Sequence, residues 1–313
     1  MRTLVLGAGA VGGYYGGRLL QAGRDVTFLV RPRRAKLLAD HGLRIQSRRG
    51  DFESQAPPTI VSVDPNEQFD LVLLSCKAYD LDAAIAAIAP AIGPETLILP
   101  LLNGMRHLDR LASEFGQQHV LGGSCFISAR LGETGQIVHL SDVHRLTFGP
   151  RFEEQTARAE AIAAMMDGAL FEARASQTIV LEMWEKWVFL ATLAGMTCLS
   201  RAAVGDIIAQ GGLELITSMA EECRSIAVEA GFTPRAEVWD WSMDHLTLPE
   251  STITASMLGD LEQGRPTEAD HILGDLLRRG ENVSRQGDSL LRLAYLAIKA
   301  AEARNSREGI GDG

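Results

Sequence analysis

The sequence predicts a doubly wound parallel α/β sheet followed by an all-α C-terminal domain. Three observations carry this. Short apolar runs alternate with amphipathic stretches through the first half. Those runs are continuous in Val, Ile and Leu, as strands covered on both faces are. After Ser176 the strand signal gives way to long helical patterns. At roughly 100–200 residues per domain, a chain of 313 residues should hold two domains, expected at residues 1–177 and 178–313.

Taken in order, residues 3–6 form the first strand and 11–21 the first helix, stopped at Gly23. Residues 25–30, 70–76 and 96–102 are further buried strands, and 81–89 a helix ended by Pro90 and Gly93. From 120 to 148 shorter, glycine-punctuated strands are expected at the sheet edge. Residues 153–167 read as a helix and 170–175 as a last strand. Helical patterns follow over 179–200, 203–209, 213–230, 256–263, 268–279 and 289–303, and the tail 308–313 is expected to fray.

Composition narrows the function classes. Hydrophobic residues make up 46% and charged residues 22%, close to soluble globular chains, which excludes a disordered polymer. A net charge of −10 argues against a nucleic-acid partner, because phosphate neutralisation needs clustered Lys and Arg. Cys76, Cys125, Cys198 and Cys223 are far apart with no C-x-x-C pair, so a reducing cytoplasm fits better than a disulfide framework. The histidines lack H-E-x-x-H spacing, and no metal is expected. Met1-Arg2 leads into an apolar run broken at Gly7, which does not read as a signal peptide. The longest apolar stretch, residues 187–199, is shorter than the ~20 residues that span a bilayer, so no membrane partner is expected.

Chemistry enters with Gly7-Ala8-Gly9-Ala10-Val11-Gly12, a G-x-G-x-x-G run placed between a strand and a helix. Gly7 permits a tight turn, Gly9 lets a pyrophosphate approach the backbone, and Gly12 lets helix and strand pack closely. The helix N-terminus then offers free N–H groups to the phosphates. This is the signature of a Rossmann-type dinucleotide-binding half. Where an NAD enzyme usually places Asp or Glu after the second strand, this chain has Arg31, followed by Pro32, Arg33 and Arg34. An arginine there accommodates a 2′-phosphate, so the expected cofactor is NADP (NADPH). Lys77 and Asn103-Gly104 follow the next two strands, at the carboxyl ends where such sheets bind ligands.

The helical half carries two candidate features. Lys186 sits in Glu182–Leu190, a stretch that turns apolar on every face. It either stands where a polar surface meets the core or forms an i,i+4 surface pair with Glu182. Ser256 and Asp260 share one helix face, and Glu268 opens the next helix beyond Pro266-Thr267, where an acidic residue also suits the helix dipole.

The ordered set of the Gly7–Gly12 loop, Cys76-Lys77, Leu102-Asn103-Gly104, Trp184-Glu185-Lys186 and Ser256 followed by Glu268 resembles the ketopantoate reductase (2-dehydropantoate 2-reductase) family over nearly the whole chain. The resemblance implies NADPH-dependent reduction of ketopantoate to pantoate, in pantothenate biosynthesis. It implies that Lys186 donates the proton and contacts substrate, that Ser256 contacts substrate, and that Glu268 helps hold cofactor and reacting groups. Lys77 would line the nicotinamide end, Asn103 would touch both ligands, and Ala129 matches a cofactor-contacting alanine. The family usually carries asparagines where this chain has Leu190, Ala194, Val204 and Ile253, and its only asparagines are Asn66, Asn103, Asn282 and Asn305. Those amides would hydrogen-bond the substrate, so their loss points to a changed substrate. The sequence therefore supports a 2-oxo acid reductase acting on ketopantoate or on a more apolar 2-oxo acid. A β-hydroxyacid or hydroxyacyl dehydrogenase relative and a non-catalytic NADPH sensor stay as alternatives. The partner is a small molecule, and a homodimer is left open.

Overall fold

The first half of the chain supplies parallel strands with little polar interruption. In the computed structural model, which describes residues 1–281 and 288–310, β1 (Arg2–Leu6) leads into α1 (Ala10–Gln21) and β2 (Asp25–Leu29). There follow α2 (Pro32–His41), β3 (Leu43–Gln46), β4 (Phe52–Ser54), β5 (Thr59–Ile60), β6 (Leu71–Leu74), α3 (Leu81–Ile88) and β7 (Leu97–Pro100). The first sheet has the order β5-β2-β1-β6-β7, every neighbouring pair parallel. All residues of β6 and β7 are buried, which is why they read as unbroken apolar runs. The strand order reverses at β1 and β6, the place where doubly wound sheets bind their ligands.

The expected edge strands go elsewhere. Only Val120 bridges to this sheet, beside Ile98. Beyond α4 (Arg106–Phe115), β8 (Gly122–Leu131) and β9 (Ile137–Gly149) form a long antiparallel hairpin in a second sheet. That sheet has the order β10-β9-β3-β4, with β8 also on β9. It is completed after α5 (Thr156–Met166) by β10 (Glu172–Ala175). The reason is α1, which is buried along most of its length and packs against both sheets. A β-carbon at Gly16 would strike Phe28 of the first sheet, and one at Gly17 would strike Ile45 of the second. A second apolar surface is therefore needed on the far side of α1.

The helices that follow are α6 (Ile179–Ser200), α7 (Val204–Ala209), α8 (Leu213–Glu229), α9 (Ala236–Leu246) and α10 (Ser256–Glu262). A single π-turn, Asp270–Gly274, runs into α11 (Asp275–Arg279), and α12 (Leu290–Glu308) ends the description. The chain divides into two compact units: residues 1–102 with 107–180, and residues 103–106 with 181–313. The short turn after β7 thus packs with the helices, although it follows the sheet in sequence. Asn282 and residues 311–313 of the tail lie outside the described residues.

All four cysteines are unbridged, and burial pushes the thiols of Cys198 and Cys223 up to about 12, which leaves them inert. Among the described residues, no helix is long and apolar enough to cross a membrane. No three His, Cys, Asp or Glu side chains there are placed to hold a metal ion.

Candidate active site

In the first unit the glycine loop is built by close approach. Gly7 has φ +89°, and a β-carbon on it would lie 2.5 Å from the Ser75 carbonyl oxygen. One on Gly12 would lie 2.3 Å from the Gly7 oxygen and 2.8 Å from the Ser75 β-carbon. Only glycine fits either position. The loop is therefore pressed between β1 and the end of β6, while space stays open beside Gly9. Gly9 caps α1 without a side-chain hydrogen bond, so the N–H groups of the first turn face outward for an anion.

Arg31 closes β2 and caps α2, with Pro32 at the first helical position. Its side chain is 73% exposed and pairs with Asp80 at 2.7 Å. Asp80 lies in the short turn Ala78–Asp80 directly after Lys77, so this ion pair joins the ends of β2 and β6. Lys77 itself is half-buried at the end of β6. Ala129 is half-buried on β8 at a shift in strand register, against the same core as Val11.

Arg34 has a role that the run Arg31–Arg34 does not disclose. Its Nε donates to the Ala8 carbonyl at 2.9 Å and its Nη1 to the Gly135 carbonyl at 2.9 Å. It thereby ties the glycine loop to the turn of the β8–β9 hairpin. Its Nη2 is buried and makes no hydrogen bond among the described residues. A buried guanidinium N–H left over beside an uncapped helix N-terminus fits the anionic end of a dinucleotide.

In the second unit the centre is α6. Glu185, Lys186 and Trp187 are consecutive, so about 100° of helix rotation sends each toward a different partner. Glu185 accepts from Arg235 Nε at 2.8 Å, from Nη2 at 2.5 Å and from the Arg235 backbone at 2.9 Å. Trp187 Nε1 donates to the Ile272 carbonyl at 2.9 Å. Lys186 Nζ donates to Asn103 Oδ1 at 3.0 Å. The structure thus brings together Asn103 and Lys186, which are 83 positions apart.

Ser256 opens α10 with its side chain exposed. Glu268 is half-buried just before the π-turn, and its carbonyl accepts from the backbone of His271 and Ile272. Leu190 and Ala194 follow Lys186 at four-residue steps, hence on its face of α6. Val204 is buried, and its N–H donates to the Ile253 carbonyl at 3.2 Å. The nearby hydroxyls of Thr192 and Thr197 donate to the Val188 and Leu193 carbonyls of their own helix. Of the residues that stand where the family has amides, Ala194 and Val204 are buried and Leu190 and Ile253 half-buried, and these two hydroxyls are spent as donors.

Sequence reasoning missed His271. It is 5% exposed and hydrogen-bonds the Asn103 backbone, while burial lowers its pKa below the usual histidine value. A histidine between Asp270 and Ile272 in an uninterrupted helical pattern carries no signal for this, because the π-turn that aims it is not visible in the sequence.

Comparison with known proteins shows the family. Residues 3–152 match the family model for ketopantoate reductase PanE/ApbA, and residues 178–298 match its C-terminal domain. The uncharacterized oxidoreductase YkpB of Bacillus subtilis is 36% identical, covering 97% of this chain and 99% of its own. The crystal structure of 2-dehydropantoate 2-reductase from Geobacter metallireducens superposes with a TM-score of 0.87 at 28% identity, over 96% of this chain and 100% of that one. D-mandelate dehydrogenase, in its ternary structure with NADH and anilino(oxo)acetate, shares the fold with a TM-score of 0.86 at 21% identity, over 98% and 99% of the two chains. The chain is an oxidoreductase and belongs to the ketopantoate reductase family.

Proposed function

We propose that this protein is an NADPH-dependent reductase of a 2-oxo acid with an apolar side chain, forming the 2-hydroxy acid. The observation that carries this is Lys186 Nζ held 3.0 Å from Asn103 Oδ1, with Leu190 and Ala194 next on the same face. A bound nicotinamide dinucleotide would supply the hydride. Asn103 Oδ1 accepts one ammonium proton of Lys186, which orients Nζ for the carbonyl oxygen of the substrate. Lys186 polarises the C2 carbonyl, meets the negative charge developing on its oxygen and gives up a proton at Nζ. Glu268 and Ser256 contribute polar groups to reactants and cofactor, as their family positions imply. The substrate side chain meets Leu190 and Ile253, both half-buried, with Ala194 buried behind them on the face of Lys186, and a hydroxyl there would be left unpaired at about 1–3 kcal/mol. D-mandelate dehydrogenase, of the same fold, was solved with NADH and anilino(oxo)acetate, an oxo acid that carries an aromatic ring.

NADPH oxidation with a panel of 2-oxo acids tests the substrate. The expected result is a higher kcat/KM for apolar side chains than for ketopantoate. A ketopantoate value above all the others contradicts it, and NADPH binding without turnover of any acid favours a sensor.

The cofactor preference has its own test. In the proposed site Arg31 holds the 2′-phosphate, in exchange for Asp80. Arg31→Ala should weaken NADPH binding about 10- to 100-fold, roughly 1.4–2.8 kcal/mol for charge-assisted contacts, and leave NADH nearly unchanged. Asp80→Asn should tighten NADPH a few-fold, because a carboxylate no longer competes for the guanidinium. Fluorescence titration reads both. Equal affinity of the unmodified protein for NADH and NADPH would refute the assignment.

A further inference from the structure

The turn Asn103–Arg106 and the helices pack as one unit, and the contact that seats the turn is the π-turn. A π-turn adds one residue to a helical turn and frees a backbone carbonyl, and such turns recur at functional sites. Here Trp187 takes the Ile272 carbonyl, which pins the π-turn to α6 one residue away from Lys186. The preceding residue of the π-turn, His271, lies against the Asn103-Gly104 turn. Gly104 has φ +75°, and a β-carbon on it would come within 3.0 Å of the His271 ring and 3.1 Å of its carbonyl oxygen. The ring hydrogen-bonds the Asn103 backbone, and the Asn103 side chain in turn accepts from Lys186. His271, Asn103 and Lys186 therefore form one connected line.

We propose that His271 is a positioning residue for the reduction, fixing the Asn103-Gly104 turn so that Asn103 Oδ1 holds the Lys186 ammonium in its proton-donating place. This rests on Lys186 being the proton donor. A neutral imidazole has one N–H to give, and the Asn103 main chain is its acceptor. Burial keeps the ring neutral, and the charges that bear on it are Glu268 and Asp275 on its own segment and Arg106 from the turn. An interior ring docked on a positive-φ glycine also restrains the turn sterically, so donor and shape act together.

Three variants separate these contributions. His271→Phe keeps a ring without a donor and should lower kcat about 10- to 100-fold, with substrate KM and NADPH affinity changed less than threefold. His271→Gln restores an N–H donor and should recover most of kcat. In an Asn103→Ala background, His271→Phe should cost less than threefold, because the group it positions is gone. Unchanged kcat in His271→Phe, or an equal loss in the Asn103→Ala background, overturns the proposal. Should His271→Phe not fold, nitrogen-15 NMR of the unmodified enzyme decides. A ring N–H protected from exchange and bonded to a carbonyl supports the proposal, and a rapidly exchanging ring refutes it. If the unmodified enzyme reduces no 2-oxo acid, the reductase reading fails on that result alone. The NMR measurement still tests the His271–Asn103 link independently.

Discussion

Lys186→Met should lower kcat by roughly 10²–10⁴-fold, the usual worth of a positioned acid, while the protein stays folded and binds NADPH as before. Methionine keeps an unbranched stem of similar reach and removes only the charge. The position is half-buried, so packing survives the change. What disappears is the group that Asn103 holds at 3.0 Å and that meets the charge developing on the substrate oxygen. The dinucleotide loop belongs to the first unit and Lys186 to the second, so NADPH affinity should move less than threefold. A surface pair with Glu182 would predict normal kinetics and a stability loss below about 0.5 kcal/mol. Stopped-flow NADPH oxidation on folded variant protein separates the two, and near-normal hydride transfer would remove Lys186 from the mechanism.

Glu185→Ala should destabilise the second unit by about 3 kcal/mol. The Glu185 side chain is 3% exposed and that of Arg235 is 40% exposed. Removing the carboxylate strands the Arg235 backbone N–H at the start of α9 and takes away two charge-assisted bonds. Breaking a buried pair from one side costs about 3–5 kcal/mol, and the exposure of Arg235 places the expectation at the low end, since its guanidinium turns to water. Glu185→Gln keeps one acceptor and should cost about half as much. Trp184, Trp187, Trp239 and Trp241 are the only tryptophans, and all lie in the second unit. Urea unfolding followed by tryptophan fluorescence therefore reads this unit alone. A shift worth less than about 0.5 kcal/mol would show that the pair contributes nothing net.

The parts legible in the sequence are those set by local pattern. β1, β2, β6 and β7 are apolar because both faces are covered, and the glycine loop is legible because contacts at 2.3–2.5 Å exclude any side chain. The second sheet was not legible as a separate sheet. β9 mixes His139, Ser141, Asp142 and His144 with apolar residues, and its place depends on pairing Ile137 with Ile45. The helix α9 gave no signal because its start is held by Glu185, 50 positions away. The pattern of residues 268–279 suggested one helix, and the π-turn within it is stabilised by Trp187 from another element. Arg34 was likewise hidden, since its partners Ala8 and Gly135 lie 26 and 101 positions away. In the site, Lys186 and Asn103 could be nominated singly, but their hydrogen bond required the fold.

The central step of the proposed reaction is hydride delivery to the C2 carbonyl of an apolar 2-oxo acid, with Lys186 supplying the proton. NADPH deuterated at the transferring C4 position, incubated with the protein and such an acid, tests this in one step by mass spectrometry of the product. The expected product is the 2-hydroxy acid with a single deuterium at C2, formed by the unmodified protein and lost with Lys186→Met. A 2-hydroxy acid without deuterium, or no 2-hydroxy acid from any acid offered, would contradict it.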